Sequence, residues 1–200
     1  MIFEEYFFIM KKLFAAVLTA VMMLSLTACG KTGLDDAWTE NSDDVEVTEY
    51  SDGTKEYEGK IGSTLKTAWF NFTVKDAYVT SDEIGGQAPS DGNVFVVVEM
   101  DIKNTFTQSI DMYTYDFQLQ WNDDASDAFA YPIEVDGLMD EQFPSEYTLK
   151  VNESRHGFYI YEAPAGSEDY SISFLEYFDD GSDEGAQGDL FWVFFTAEEK

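Results

Sequence analysis

The 200-residue chain contains one cysteine and one histidine. A lone cysteine makes no intrachain disulfide, and one residue of each kind cannot furnish a His/Cys zinc cluster. Basic residues are scarce too: 11 Lys plus Arg stand against 40 Asp plus Glu, a net charge of -29. Nucleic acid is bound largely by Lys and Arg displacing counterions from phosphates, so it is excluded as a partner. After residue 28 no second long apolar run follows and no stretch keeps a helical period, so neither a downstream membrane-spanning helix nor a helical domain is expected. What the chain does have is apolar side chains, 44% hydrophobic and 16% aromatic residues, which is enough for a packed core in one domain with a tail.

The amino terminus reads as a targeting segment. Residues 10–28, MKKLFAAVLTAVMMLSLTA, place two lysines before an apolar run that ends in small residues, the order of a secretory signal. The run over 13–28 is shorter than the roughly 20 residues that a spanning helix needs. Glu4 and Glu5 sit badly in a signal, and Met10 is the expected initiator. Leu26, Thr27, Ala28, Cys29 and Gly30 resemble the lipobox of bacterial lipoproteins. That resemblance implies a diacylglycerol thioether on Cys29, cleavage just before it, and attachment to the extracytoplasmic face of the cell membrane. Two acyl chains suffice for stable anchoring, where one is marginal.

Residues 31–60 carry ten Asp or Glu and three Lys with few large apolar groups. Such a segment buries too little to offset its ordering entropy, so residues 29–58 are expected to be a solvated acidic tether. The patch VEVTEY, residues 45–50, offers a short strand as the alternative.

From about Ile61 onward the period becomes two. Phe70, Phe72 and Val74 alternate with polar residues, then Ala77 and Val79 take the opposite parity, which predicts a bulge near Asp76. Val94, Val96, Val98, Met100 and Ile102 share one face of a long strand over 93–104. Tyr115, Phe117, Leu119 and Trp121 alternate with Asp116, Gln118, Gln120 and Asn122. Further strands are expected at 129–133, 156–161, 170–178 and 190–195. Strands at this spacing, separated by turn-rich pieces, predict an all-β, antiparallel β-sandwich of about seven to eight strands over 59–200.

The succession LKTAWFNFTVKDAYV, NVFVVVEMDIKN, DFQLQW, YTLKVNESRHGFYIYEAP and YSISFLEY resembles the immunoglobulin-like domain of unknown function in Gram-positive lipoproteins, related to a secreted mycobacterial immunogenic antigen. The resemblance covers roughly 59–196 and rests on strand patterns, a turn at Asn104 and an L-x-x-(N/G)-E-S turn. It implies the fold and carries no catalytic signature. Asn152 stands where that family usually has Gly, and Asn tolerates positive φ.

Catalytic signals are sparse. No G-x-S-x-G elbow accompanies His156, which reads as an ordinary strand or turn residue. The loop starting at Asn122 has Asp127 and Ile133 where an EF-hand needs Gly and Glu, so no metal site is expected there. Asp179, Asp180, Asp183 and Glu184 are weak candidates for calcium, with a solvated acidic loop the simpler explanation. Tyr159 and Tyr161 share one strand face and are candidates for ligand contact, against the plain alternative of core packing. The expectation is a non-enzymatic envelope lipoprotein that binds a protein or glycan. The alternatives are a glycan hydrolase using paired carboxylates, or an accessory subunit of an envelope complex.

Overall fold

The computed structural model describes residues 41–121, 129–179, 181 and 185–200. The strands are β1 (Glu46–Glu49), β2 (Lys55–Lys60), β3 (Thr64–Lys66), β4 (Phe70–Thr80), β5 (Asn93–Asn104) and β6 (Ile110–Tyr113). A 3-10 turn at Thr114–Asp116 follows, then β7 (Gln118–Gln120), β8 (Phe129–Ala130), β9 (Glu146–Leu149), β10 (Ser154–Pro164), β11 (Tyr170–Phe178), β12 (Ala186–Phe195) and β13 (Glu198–Glu199). They form a β-sandwich. One sheet runs β1-β2-β12-β11-β7-β8, the other β10-β5-β4-β13 with β3 also on β4, and β6 pairs with β9. All pairs are antiparallel except β2 with β12 and β13 with β4.

The alternation seen in the sequence fills the space between the sheets. Phe72, Val74, Val98, Met100 and Ile102 from one sheet meet Ile172, Phe174, Phe191 and Val193 from the other. Phe95, Val97 and Ile160 point to the opposite side, where Ile84, Leu138 and Met139 from the connecting loops cover them. Strand β5 is therefore buried on both faces, which accounts for its unbroken FVVV run. The pairing of β4 with β5 shifts register between Val74 and Asp76, the bulge that the parity change predicts.

The two turn motifs clasp each other. Asn104 is fully buried, and its Nδ2 donates to the Leu149 carbonyl at 2.9 Å and the Gln108 carbonyl at 2.9 Å. Its Oδ1 accepts the Phe106 N–H at 2.8 Å, and its backbone N–H reaches the Glu153 carbonyl at 3.0 Å. Asn152 adopts φ 60°, the left-handed conformation that Asn accepts with little strain.

Several boundaries differ from the sequence reading. The expected tether over 29–58 is ordered at its carboxyl end: β1 and β2 form a hairpin, and β2 docks on β12. Tyr57 helps to fix it, its ring stacking on Phe191 at 4.8 Å, and Glu56 beside it is buried and accepts the Tyr50 hydroxyl. The VEVTEY alternative describes this segment better. The strand expected around 115–122 shrinks to three residues because the chain ahead of it winds into the 3-10 turn, and that expected at 129–133 keeps two. Strand β6 was not legible, since it alternates over only four residues.

Candidate functional site

The shortening of β7 leaves a concavity beside β11. Strand β7 pairs with β11 through Ser171, Ile172 and Ser173, the last opposite Gln118. Continuing that register would set Asp116 opposite Leu175. Instead the Tyr113 N–H donates to Asp116 Oδ2 at 2.7 Å, closing the turn and drawing the chain away from β11. A groove of about 760 Å³ opens along the gap, with Trp69, Tyr115, Tyr131 and Tyr177 on its walls and Asp111 and Asp116 among its polar lining.

Its floor is rigid. Phe70 and Phe117 pack on Phe174 with ring centroids 4.8 and 5.7 Å apart. Trp69 leans on Phe178 at 5.0 Å, presented by a short loop that is fixed twice. Thr67 Oγ1 accepts the Phe70 N–H at 3.1 Å, and Glu176 Oε1 accepts the Ala68 N–H at 2.6 Å. Burial pushes the buried Glu176 carboxyl up, opposed by its bonds to the Ala68 and Asp189 N–H groups. Beside this wall the tyrosines lie open: Tyr115 is 58% and Tyr177 59% exposed, Tyr131 48%. Tyr115 also stacks on Tyr113 at 5.0 Å, which holds its ring in place.

Asp116 is the unusual group. It is half-buried, and desolvation raises its carboxyl from the ordinary 3.8 to about 6, offset only in part by the Tyr113 N–H. Among the described residues it forms no ion pair. Asp111, by contrast, is exposed and accepts the Thr148 hydroxyl at 2.8 Å.

The residues singled out from sequence lie elsewhere. Tyr159 and Tyr161 are 1% and 0% exposed, so the expectation that they contact ligand is corrected: they are core. Strand β10 sits at the side of β5 with the second sheet facing it, and Tyr159 stacks on Phe143 at 4.7 Å within that interior. Burial drives both phenols well above their ordinary range. His156 lies at an exposed position of β10 with Nδ1 2.8 Å from Asp101 Oδ1, and with Glu99 and Glu141 oxygens each 3.9 Å from Nε2. The Asp101 hydrogen bond raises its pKa. Of the calcium candidates, Asp179 accepts the Gly181 N–H at 2.9 Å, while Asp180, Asp183 and Glu184 lie outside the described residues. Among the described residues no group of three or more His, Cys, Asp or Glu is arranged to hold a metal ion. Leu26, Thr27, Ala28, Cys29 and Gly30 also lie outside the described residues. No helix among those residues is long and apolar enough to cross a membrane.

Sequence reasoning set Tyr115 and Asp116 in an alternating strand and did not join them with Trp69, Tyr131 and Tyr177 into one site. Asp116 looked like the polar face of an alternating strand, and nothing local to it announces the 3-10 turn. The groove is a product of topology.

The family model of the Domain of unknown function (DUF4352) matches residues 59–184. The chain belongs to that family, and its groove falls within the matched region. Among solved structures, a candidate lipoprotein from Bacillus subtilis superposes with TM-score 0.50 at 14% identity, over 67% of this chain and 38% of that protein. The secreted protein MPT63 from Mycobacterium tuberculosis gives TM-score 0.48 at 11% identity, over 67% of this chain and 95% of its own. A candidate lipoprotein from Staphylococcus aureus gives 0.45 at 10% identity, over 78% and 97%. Comparison with curated protein sequences yields no match. At these identities the likeness is one of fold.

Proposed function

We propose that the protein is a lipid-anchored envelope lipoprotein whose sandwich domain binds a partner, without catalysis, through the groove between β11 and the Thr114–Asp116 turn. The anchor reading rests on the lipobox-like Leu26 to Gly30 with Cys29 as the modified residue, and the candidate lipoproteins and the secreted protein among the structural relatives fit that location. The observation that carries the binding reading is the groove itself, an aromatic-walled concavity on a rigid floor, of a size common for ligand sites. Tyrosine and tryptophan rings combine apolar area with a hydrogen-bonding tip and serve well as contact surfaces. Hydrolysis by a carboxylate pair is the second reading, since Asp111 and Asp116 both line the groove.

Two measurements test this. Radiolabelled palmitate fed to the producing cells should enter the wild-type protein and be lost in Cys29→Ser; equal labelling of both refutes the anchor. A photoreactive benzoylphenylalanine placed at Tyr177 should give a discrete adduct in intact cells, where the same group at the exposed turn residue Val151 gives none. The same adducts from both positions refute the groove as the binding site.

A further inference from the structure

The groove has a backbone wall as well as aromatic ones. Strand β11 is paired with β12 as far as Phe178, but β7 covers its other side only from Ser171 to Ser173. Ser173, Leu175 and Tyr177 all line the groove, so it runs beside the part of β11 that β7 leaves uncovered. From Ser173 to Tyr177 such a strand extends about 13 Å, room for three or four residues of another extended chain. An uncovered strand edge is a template for strand addition.

The lining also has a sign. Among the described residues its carboxylates are Asp111 and Asp116, and none of those lining it is Lys, Arg or His. A half-buried carboxylate without a counter-charge is electrostatically costly, and a cation brought alongside relieves that cost. Aromatic faces within reach add cation-π attraction. A sugar would stack on the same rings and could donate a hydroxyl to Asp116, but it brings no counter-charge.

Building on the groove reading above, we propose that the occupant is an extended peptide segment bearing lysine or arginine, which adds along the uncovered edge of β11 and seats its cation against Asp116 and the surrounding tyrosine rings. Affinity then comes from main-chain hydrogen bonds, and selection from the charge. The chain's net charge of -29 draws such segments toward it and repels acidic ones. Burial raises the Asp116 carboxyl, and a cation brought alongside would favour its charged form.

The test titrates the full lipoprotein in detergent micelles, followed by tryptophan fluorescence, with four probes: a capped hexapeptide alternating lysine and valine, its glutamate-valine counterpart, a backbone N-methylated form of the first, and a tetrasaccharide of N-acetylglucosamine. The lysine-valine peptide should bind, and the acidic and N-methylated peptides should bind at least about tenfold more weakly. Asp116→Asn, which keeps an acceptor for the Tyr113 N–H, should weaken the lysine peptide about tenfold or more. Tyr177→Ala provides a second variant with the same expected direction. Equal binding of lysine and glutamate peptides, or undiminished affinity in Asp116→Asn, overturns the proposal. Binding of the saccharide alone overturns it too, while leaving the groove reading in place. If no probe binds but the Tyr177 adduct persists in cells, the peptide proposal falls and the groove stands; if the adduct is also missing, both fall.

Discussion

Tyr159 and Tyr161 on β10 and Tyr115 and Tyr177 beside β7 come from similar alternating stretches, yet the first pair is sealed in the interior and the second is more than half exposed. The difference lies in what surrounds each strand. Strand β10 runs eleven residues in register with β5, and its tyrosines face the opposing sheet. Tyr177 extends past the end of β7, and Tyr115 sits in a turn that leaves the sheet. Alternation therefore marks which side chains share a face, while the length of the neighbouring strand decides whether that face is covered.

The comparison can be broken by truncation. Tyr159→Ala should lower stability by about 3–5 kcal/mol, the cost of an aromatic cavity in a packed core, whereas Tyr177→Ala should stay within about 0.5 kcal/mol. Urea unfolding of both variants checks this, and similar losses would mean that the two regions do not differ. A subtler variant sharpens it. The Tyr161 hydroxyl is buried with no hydrogen-bond partner among the described residues, so Tyr161→Phe should raise stability by about 1 kcal/mol, whereas the same change at exposed Tyr115 should be neutral.

The smallest expected effect is at His156. Its folded pKa is raised above 6.5, chiefly by Asp101, so its contribution is complete below the unfolded value and fades as pH rises through the folded one. Replacing it by Gln should destabilise the domain slightly at pH 5 and leave it unchanged at pH 9, as read by thermal melts at the two pH values. Since the ring is largely solvated, salt should shrink the difference.

Much of the sandwich was legible because its long strands are strongly periodic. The extent of β5, the bulge near Asp76 and the span of β11 all follow from side-chain parity. The order of β2 was hidden because its segment is dominated by carboxylates; one tyrosine docking on Phe191 outweighs that composition, and no local count records it. The groove was hidden more deeply. It exists because β7 stops early against a longer β11, a relation between residues more than fifty positions apart. Asp116 carries meaning only once that gap is seen, since as a strand residue it would have been plain solvent-facing polarity.

Asp116 is a carboxylate whose burial costs the domain stability at neutral pH. Its folded pKa, raised from 3.8 to about 6, means that folding favours the protonated form: the favourable contribution is full below pH 4 and is lost as pH rises through about 6. Asp116→Asn mimics the protonated state. The decisive measurement is the unfolding free energy of wild type and Asp116→Asn at pH 8 and at pH 3.5. The variant should be more stable by about 3 kcal/mol at pH 8, the gap closing at pH 3.5. A variant that is equally or less stable than wild type at pH 8 would contradict it.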